Sequence, residues 1–191
     1  MKKYNQIILG TLLGDASATK LYGRATSNGV TWEHGLKQKP YAIWKAKECG
    51  LKFYTYRRDR FDKRTSKTYK SFSIHLAKQQ ALNNYRSLFY KDGIKFISDE
   101  VLNLVNRRGV AIWYCDDGNL AMNKENNHLT LSVNCFTELE KERIIKFFKD
   151  RYDLNFKPAQ KAIRLGNKKE IIKFMKLFGK YIPNCMRYKK T

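Results

Sequence analysis

Ile8-Leu9-Gly10-Thr11-Leu12-Leu13-Gly14-Asp15-Ala16 and Val110-Ala111-Ile112-Trp113-Tyr114-Cys115-Asp116-Asp117-Gly118 are two apolar runs, each closing on a carboxylate followed by a small residue. Asp15 and Asp117 stand 102 positions apart, about half the chain, as expected for one unit used twice. Gly10 and Gly14 share one helix face at i and i+4. A glycine inside a helix costs about 1 kcal/mol relative to alanine, so two of them call for a packing reason, the close approach of another helix backbone. If the two runs pack side by side, Asp15 and Asp117 finish at the same end. Two carboxylates close together repel and resist ionisation. A divalent cation removes that penalty, and hard oxygen ligands suit magnesium.

These runs resemble the two signature motifs of the LAGLIDADG homing endonucleases, and Trp113 to Gly118 resembles the second motif of the single-chain branch. Lys95-Phe96-Ile97, Leu131 to Thr137, Tyr181-Ile182-Pro183 and Tyr188-Lys189 extend the likeness through most of the chain. One departure stands out. Ile112 and Asp116 occupy the places that correspond to Gly10 and Gly14, so a less close helix contact is expected on that side. The resemblance implies an α/β (α+β) fold of two pseudo-symmetric αββαββα lobes, residues 1–93 and 94–191. Their antiparallel sheets would form a DNA-binding saddle, and their motif helices would pack at the lobe interface. It also implies a long asymmetric target, short 3′ overhangs and a gene within an intron or intein. The chain is too short to hold a splicing domain as well, which favours a free intron-encoded enzyme.

The bulk properties agree. The chain has 191 residues, 39 basic against 17 acidic, a formal charge of +22. Its 42% apolar and 14% aromatic residues suffice for a core and exclude a disordered basic tail. Such a charge on a folded body implies a polyanionic partner, nucleic acid before membrane. No stretch approaches the roughly 20 apolar residues of a membrane span. No segment reads as a signal peptide. Intracellular residence is expected, in an organelle matrix or a prokaryotic cytoplasm. Cys49, Cys115, Cys135 and Cys185, with His34, His75 and His128, lack zinc-ligand spacing and read as free, mostly buried thiols and scattered imidazoles.

Local signals give the order of elements. A helix over Tyr4–Asp15 precedes a strand from Ser17 to Asn28, an Asn28-Gly29 hairpin turn and a strand from Val30 to Leu36. Pro40 opens a helix that Gly50 ends. Strands at Leu51–Phe61 and Thr68–Leu76 and a helix at Lys78–Phe89 complete the first lobe. Tyr90-Lys91-Asp92-Gly93 is the turn at the junction. Ser98 caps a helix running toward Arg107, with a break at Arg108-Gly109. A hairpin spans Asn119–Asn134 with its turn near Asn123–Asn127, and Thr137 with Glu140 forms a capping box. Short strands at Leu154–Lys157 and Ala162–Leu165 lead to a helix over Lys168–Phe178.

The expected chemistry is magnesium-assisted phosphodiester hydrolysis on both strands of a double-stranded DNA target by a monomer. Manganese is an expected substitute, and calcium an expected support for binding without cleavage. Asp15 and Asp117, with Ala16 and Gly118 next to them, are the expected metal positions. Lys95 and Lys189, with Lys180 in reserve, are matched by the family pattern to offset developing charge; Gln38 and Asn134, which follow each lobe's first hairpin, are expected to orient water. Outward strand residues expected to meet DNA are Arg24, Thr26, Trp32, His34, Lys37, Tyr54, Tyr56, Arg58, Arg64 and Lys67, then Asn119, Lys157, Gln160 and Arg164. Arginine pairs with guanine, and asparagine or glutamine with adenine. Two other readings keep the basic surface without cutting: an RNA maturase bound to intron RNA, and a DNA-binding regulator.

Overall fold

The structure, a computed structural model, describes residues 5–21, 23–122 and 127–190. The expected turn near Asn123–Asn127 falls mostly outside them. In chain order come α1 (Gln6–Leu13), β1 (Ser17–Ala18), β2 (Val30–Gly35), α2 (Lys39–Glu48), β3 (Phe53–Asp62), β4 (Lys67–Leu76) and α3 (Asn83–Phe89). A hairpin of β5 (Tyr90–Lys91) and β6 (Ile94–Lys95) and a short α4 (Asp99–Leu104) follow. Then come α5 (Arg107–Asp117), β7 (Gly118–Met122), β8 (Asn127–Ser132), α6 (Glu138–Tyr152), β9 (Lys157–Ala159), β10 (Ala162–Leu165) and α7 (Lys168–Phe178). The order αββαββα therefore occurs twice. Each set forms an antiparallel four-stranded sheet of the same topology, β1-β2-β4-β3 and β7-β8-β10-β9. The mixed α/β class and the antiparallel sheets are as expected.

Packing divides the chain into two compact units, Asp15–Leu88 and Met1–Gly14 with Phe89–Thr191. In the first, α2 covers one face of its sheet, burying Trp32, Tyr41, Ala42, Ala46, Ile74 and Leu76. Lys45 is wholly buried there, its ammonium over the rings of Tyr41 (4.7 Å) and Trp32 (5.2 Å). Aromatic faces attract such a cation, and more strongly when water is excluded. In the second unit the core is a run of rings. Trp113 meets Phe148, Phe148 meets Phe156, Tyr114 meets Phe174, and Phe174 meets Phe178.

The centre of that second unit is the parallel pair α1 and α5. Gln6 donates to the Leu104 carbonyl (3.0 Å) and accepts from the Asn106 amide (2.8 Å). Further along, Gly10 lies against Gly109 and Ile112, and Gly14 lies against Asp116. A Cβ on Gly10 would overlap the Gly109 carbonyl oxygen and sit 2.8 Å from the Ile112 Cβ. One on Gly14 would sit 2.6 Å from the Asp116 Cβ. This corrects the expectation of a looser contact: Ile112 and Asp116 fill the room that the glycines of the other helix leave. Asn5 and Asn106 cap the two helices, their side chains accepting the first free amides (2.9 Å each).

Several boundaries differ from expectation. The first strand is two residues long, because Asn28-Gly29 is no hairpin tip. The Asn28 side chain donates to the Thr19 carbonyl (2.6 Å), and the Gly29 amide donates to the Thr19 hydroxyl (2.8 Å), closing a loop. The break before α5 falls at Val105-Asn106, with Gly109 inside the helix where α1 needs it. The strand expected at Leu154–Lys157 begins at Lys157. Ser98 caps α4, and the Thr137–Glu140 capping box forms as expected. Cys49 and Cys115 are buried, but Cys135 and Cys185 are exposed.

Gly10→Ala tests the helix pair. Helix propensity favours alanine by about 1 kcal/mol, but a methyl pushed into a backbone carbonyl costs more, as overpacking costs about 1–3 kcal/mol and sometimes exceeds it. A net loss of about 2 kcal/mol in urea unfolding is expected, against a gain if the contact were loose.

Candidate active site and nucleic-acid interface

Helix C-termini carry partial negative charge, so an acid there is unfavourable without a cation. Asp116 and Asp117 end α5, and Asp15 follows Gly14, the C-cap of α1. The lysines answer this in the same way twice. Lys95, at the end of β6, donates its ammonium to the Gly14 carbonyl (3.1 Å). Lys189, in the 3-10 turns of Asn184–Lys190, donates to the carbonyl of Gly118, the C-cap of α5. Each cation thus sits at the carbonyl of the glycine beside a motif carboxylate, before Asp15 in one case and after Asp117 in the other. Tyr114 fixes the second arrangement, its hydroxyl donating to the Lys189 carbonyl (2.8 Å). Burial holds that phenol well above its ordinary pKa, so it remains a donor. No sequence signal singled out Tyr114 for this.

The carboxylates differ in setting. Asp15 is exposed, with His34 Nδ1 3.4 Å from its Oδ2. Asp117 is half-buried. Asp116 accepts the Thr11 hydroxyl (3.1 Å). Ala16 and Gly118 are buried. Within their own unit, Asp116 and Asp117 carry hard oxygen donors at a helix end of negative potential, of the kind a divalent cation such as magnesium takes. Gln38 closes the 3-10 turn Leu36–Gln38 ahead of α2 and is half-buried, whereas Asn134 lies exposed just after β8. Lys180 is exposed over the Tyr181 ring.

Register sorts the strand residues. On the first sheet, Ser17, Thr31, His75 and Tyr54 form one cross-strand row on the open face. Glu33, Ser73 and Tyr56 form the next, then Gly35, Ser71 and Arg58. Tyr54, Tyr56, Arg58 and Lys67 therefore face outward as expected. Trp32 and His34 do not. They are 2% and 5% exposed on the α2 side, and the Trp32 indole donates to the Ala42 carbonyl (3.4 Å). Their neighbours in alternation, Thr31 and Glu33, take the open face. The alternation of Val30 and Trp32 with polar residues carried that signal. Arg24 and Thr26 are exposed in the β1–β2 loop rather than on a strand, and Lys37 is exposed in the 3-10 turn. Arg64 is exposed in the β3–β4 turn, paired with Asp62 (3.2 Å).

On the second sheet one row holds Asn119, Thr130, Arg164 and Lys157, across all four strands. Three of the four expected residues are thus aligned, with Thr130 added, and Gln160 is exposed in the β9–β10 turn. This row corresponds strand for strand to the Ser17–Thr31–His75–Tyr54 row of the first sheet.

The chain belongs to the LAGLIDADG DNA endonuclease family, whose model matches residues 5–175. By its description, that family is one of DNA endonucleases. The RecA protein of Mycobacterium shimoidei is 27% identical over 200 residues, a match that takes in 96% of this chain and 45% of that protein. The chain spans less than half the length of the RecA proteins it matches. The DNA endonuclease I-ChuI of Chlamydomonas applanata is 23% identical over 210 residues, 98% of this chain and 94% of that one. Among solved structures, the homing endonuclease I-WcaI bound to its DNA recognition sequence superposes with a TM-score of 0.86 at 21% identity. That superposition covers 100% of this chain and 88% of the other, and it shows the shared fold. No helix among the described residues is long and apolar enough to cross a membrane.

His75 gives a pH test of the open face. Partial burial, then the Arg58 charge, hold its pKa below 6.5, with Glu33 opposing. The unfolded chain therefore binds this proton more readily, so the contribution of His75 is complete above about pH 6.5 and is lost as pH falls. Melting temperature followed from pH 8 to 5 should fall less steeply in His75→Gln than in the native chain.

Proposed function

We propose that this chain is a site-specific homing endonuclease. It makes a double-strand break in a long asymmetric DNA target by metal-dependent hydrolysis and so promotes intron mobility. It acts as a monomer in which the repeated halves, residues 1–93 and 94–191, each serve part of the target. The observation that carries this reading is the matched pair of lysines, Lys95 on the Gly14 carbonyl and Lys189 on the Gly118 carbonyl. The same placement of a lysine on a motif-helix C-cap carbonyl in both halves supports a shared role beside the two carboxylates.

In this reading Asp15 and Asp117 bind magnesium, with the Ala16 and Gly118 backbone beside them. When bound, the cation supplies an activated water and stabilises charge on the phosphate oxygens. Lys95 and Lys189 add fixed positive charge near each scissile phosphate, where it need not reorganise during reaction. Gln38 and Asn134 orient water. The open sheet faces meet bases through Tyr54, Tyr56, Arg58, Lys67, Asn119, Arg164 and Lys157. The exposed Arg24, Thr26, Lys37, Arg64 and Gln160 hold the phosphate backbone or the flanks. Strongly salt-dependent affinity follows from the +22 charge.

The test is cleavage of a cognate or selected site in magnesium. Asp15→Asn and Asp117→Asn should each abolish double-strand cutting while leaving binding in calcium intact. Lys95→Met or Lys189→Met should slow cutting about 100-fold, the usual effect of removing one preorganised donor. A native chain that binds DNA tightly and cuts nothing in magnesium or manganese would overturn this reading in favour of a regulator. RNA binding in its place would favour a maturase.

A further inference from the structure

The open face of the first sheet carries a carboxylate in its middle. Glu33 lies on β2, one of the two central strands, opposite Ser73 of β4. The Ser73 hydroxyl donates to Glu33 Oε2 (2.9 Å) and orients it. Arg58 Nη1 lies 3.7 Å from the same oxygen. The other acid that register places on this face, Asp62, is at the strand end and is held in the turn by the Arg64 amide (2.9 Å) and guanidinium.

An ionised carboxylate only accepts hydrogen bonds, and phosphates repel it. On a face that meets DNA, its favourable partner is therefore a donor on a base edge. The major groove offers two, cytosine N4 and adenine N6. Arg58 decides between them. A guanidinium only donates, through a fork that fits two adjacent acceptors. A C·G pair presents that pattern: guanine O6 and N7 side by side, with the cytosine N4 donor next to them. In an A·T pair the N6 donor falls between N7 and the thymine O4, so the fork finds no adjacent pair of acceptors.

We propose that Glu33 and Arg58 together read one C·G base pair of the target. Glu33 accepts from cytosine N4, Arg58 donates to guanine O6 and N7, and Ser73 is the positioning residue for the carboxylate. The assignment rests on the reading above that this sheet face meets DNA. It adds Glu33 and Ser73 to the interface and gives one target position a chemical identity.

The experiment is selection of bound sites from a randomised duplex library by the full chain in calcium, so that cutting plays no part. The native chain should prefer C·G at one position. Glu33→Gln should lower that preference about tenfold, equivalent to about 1.4 kcal/mol, with A·T gaining because glutamine pairs with adenine N6 and N7. Arg58→Ala should relax the same position and no other. Ser73→Ala should weaken it and Ser73→Thr, which keeps the hydroxyl, should restore it. Unchanged preferences elsewhere in the site report that the variants are folded. A Glu33→Gln profile that superposes on the native one, or Glu33 and Arg58 variants that relax different base pairs, would overturn the proposal and leave the endonuclease reading standing. A native chain that selects no sequence at all would remove both.

Discussion

The approach of α1 to α5 is the constraint on which the rest depends. Side chains normally keep helix axes 8–10 Å apart. Here Gly10 and Gly14 on one helix and Gly109 on the other remove the Cβ atoms that would prevent a closer fit. Ile112 and Asp116 occupy the space so created. Gln6 locks the start of the pair with two hydrogen bonds to the segment that leads into α5. The register of the two helices is thereby fixed at the end where Asp116 and Asp117 stand. An acid at a helix C-terminus works against the peptide dipoles. Lys95 and Lys189 offset that cost, each placed on a C-cap carbonyl by a segment distant in sequence.

Much of this was legible in the sequence where one local rule was enough. The 102-residue repeat of an apolar run with a terminal acid announced two related halves. The Thr137–Glu140 capping box and the Ser98 cap needed only neighbouring residues to form, and they formed. Legibility failed where a local signal was taken for a distant purpose. Asn28-Gly29 has the composition of a hairpin tip, but its amides are spent on Thr19 and Asn83, so the expected strand shrinks to Ser17–Ala18. Trp32 and His34 look like recognition residues by type, yet the period-two pattern of β2 turns them to the core. Lys45 is a charged residue whose aromatic enclosure depends on Trp32 and Tyr41 from two elements, which no window of sequence reveals.

The two sheets share topology and differ in chemistry. Where the second sheet presents Asn119, Thr130, Arg164 and Lys157 in a row, the first presents Ser17, Thr31, His75 and Tyr54. The first face is also larger, because β3 and β4 run for ten residues each against three and four for β9 and β10. Its extra length is where Arg58 and Lys67 are carried. A duplicated backbone has thus been given two surfaces with different donors, acceptors and reach.

The place of α1 in the packing has a consequence for the order in which the molecule is made. The helix leaves the ribosome well ahead of the partner of its glycine face, α5, which is about a hundred residues behind it. The contacts of Asp15–Leu88 lie mainly within one continuous segment, whereas the unit of Met1–Gly14 with Phe89–Thr191 joins segments far apart in sequence. Domains generally fold as units during synthesis, and contacts of long sequence separation form slowly. The apolar run Ile7–Leu13 therefore has no α5 to pack on until residues 107–117 have been made. The Gly118 carbonyl meets the Lys189 ammonium later still, after a further 71 residues have been made, so the end of α5 is completed after the helix pair that carries it.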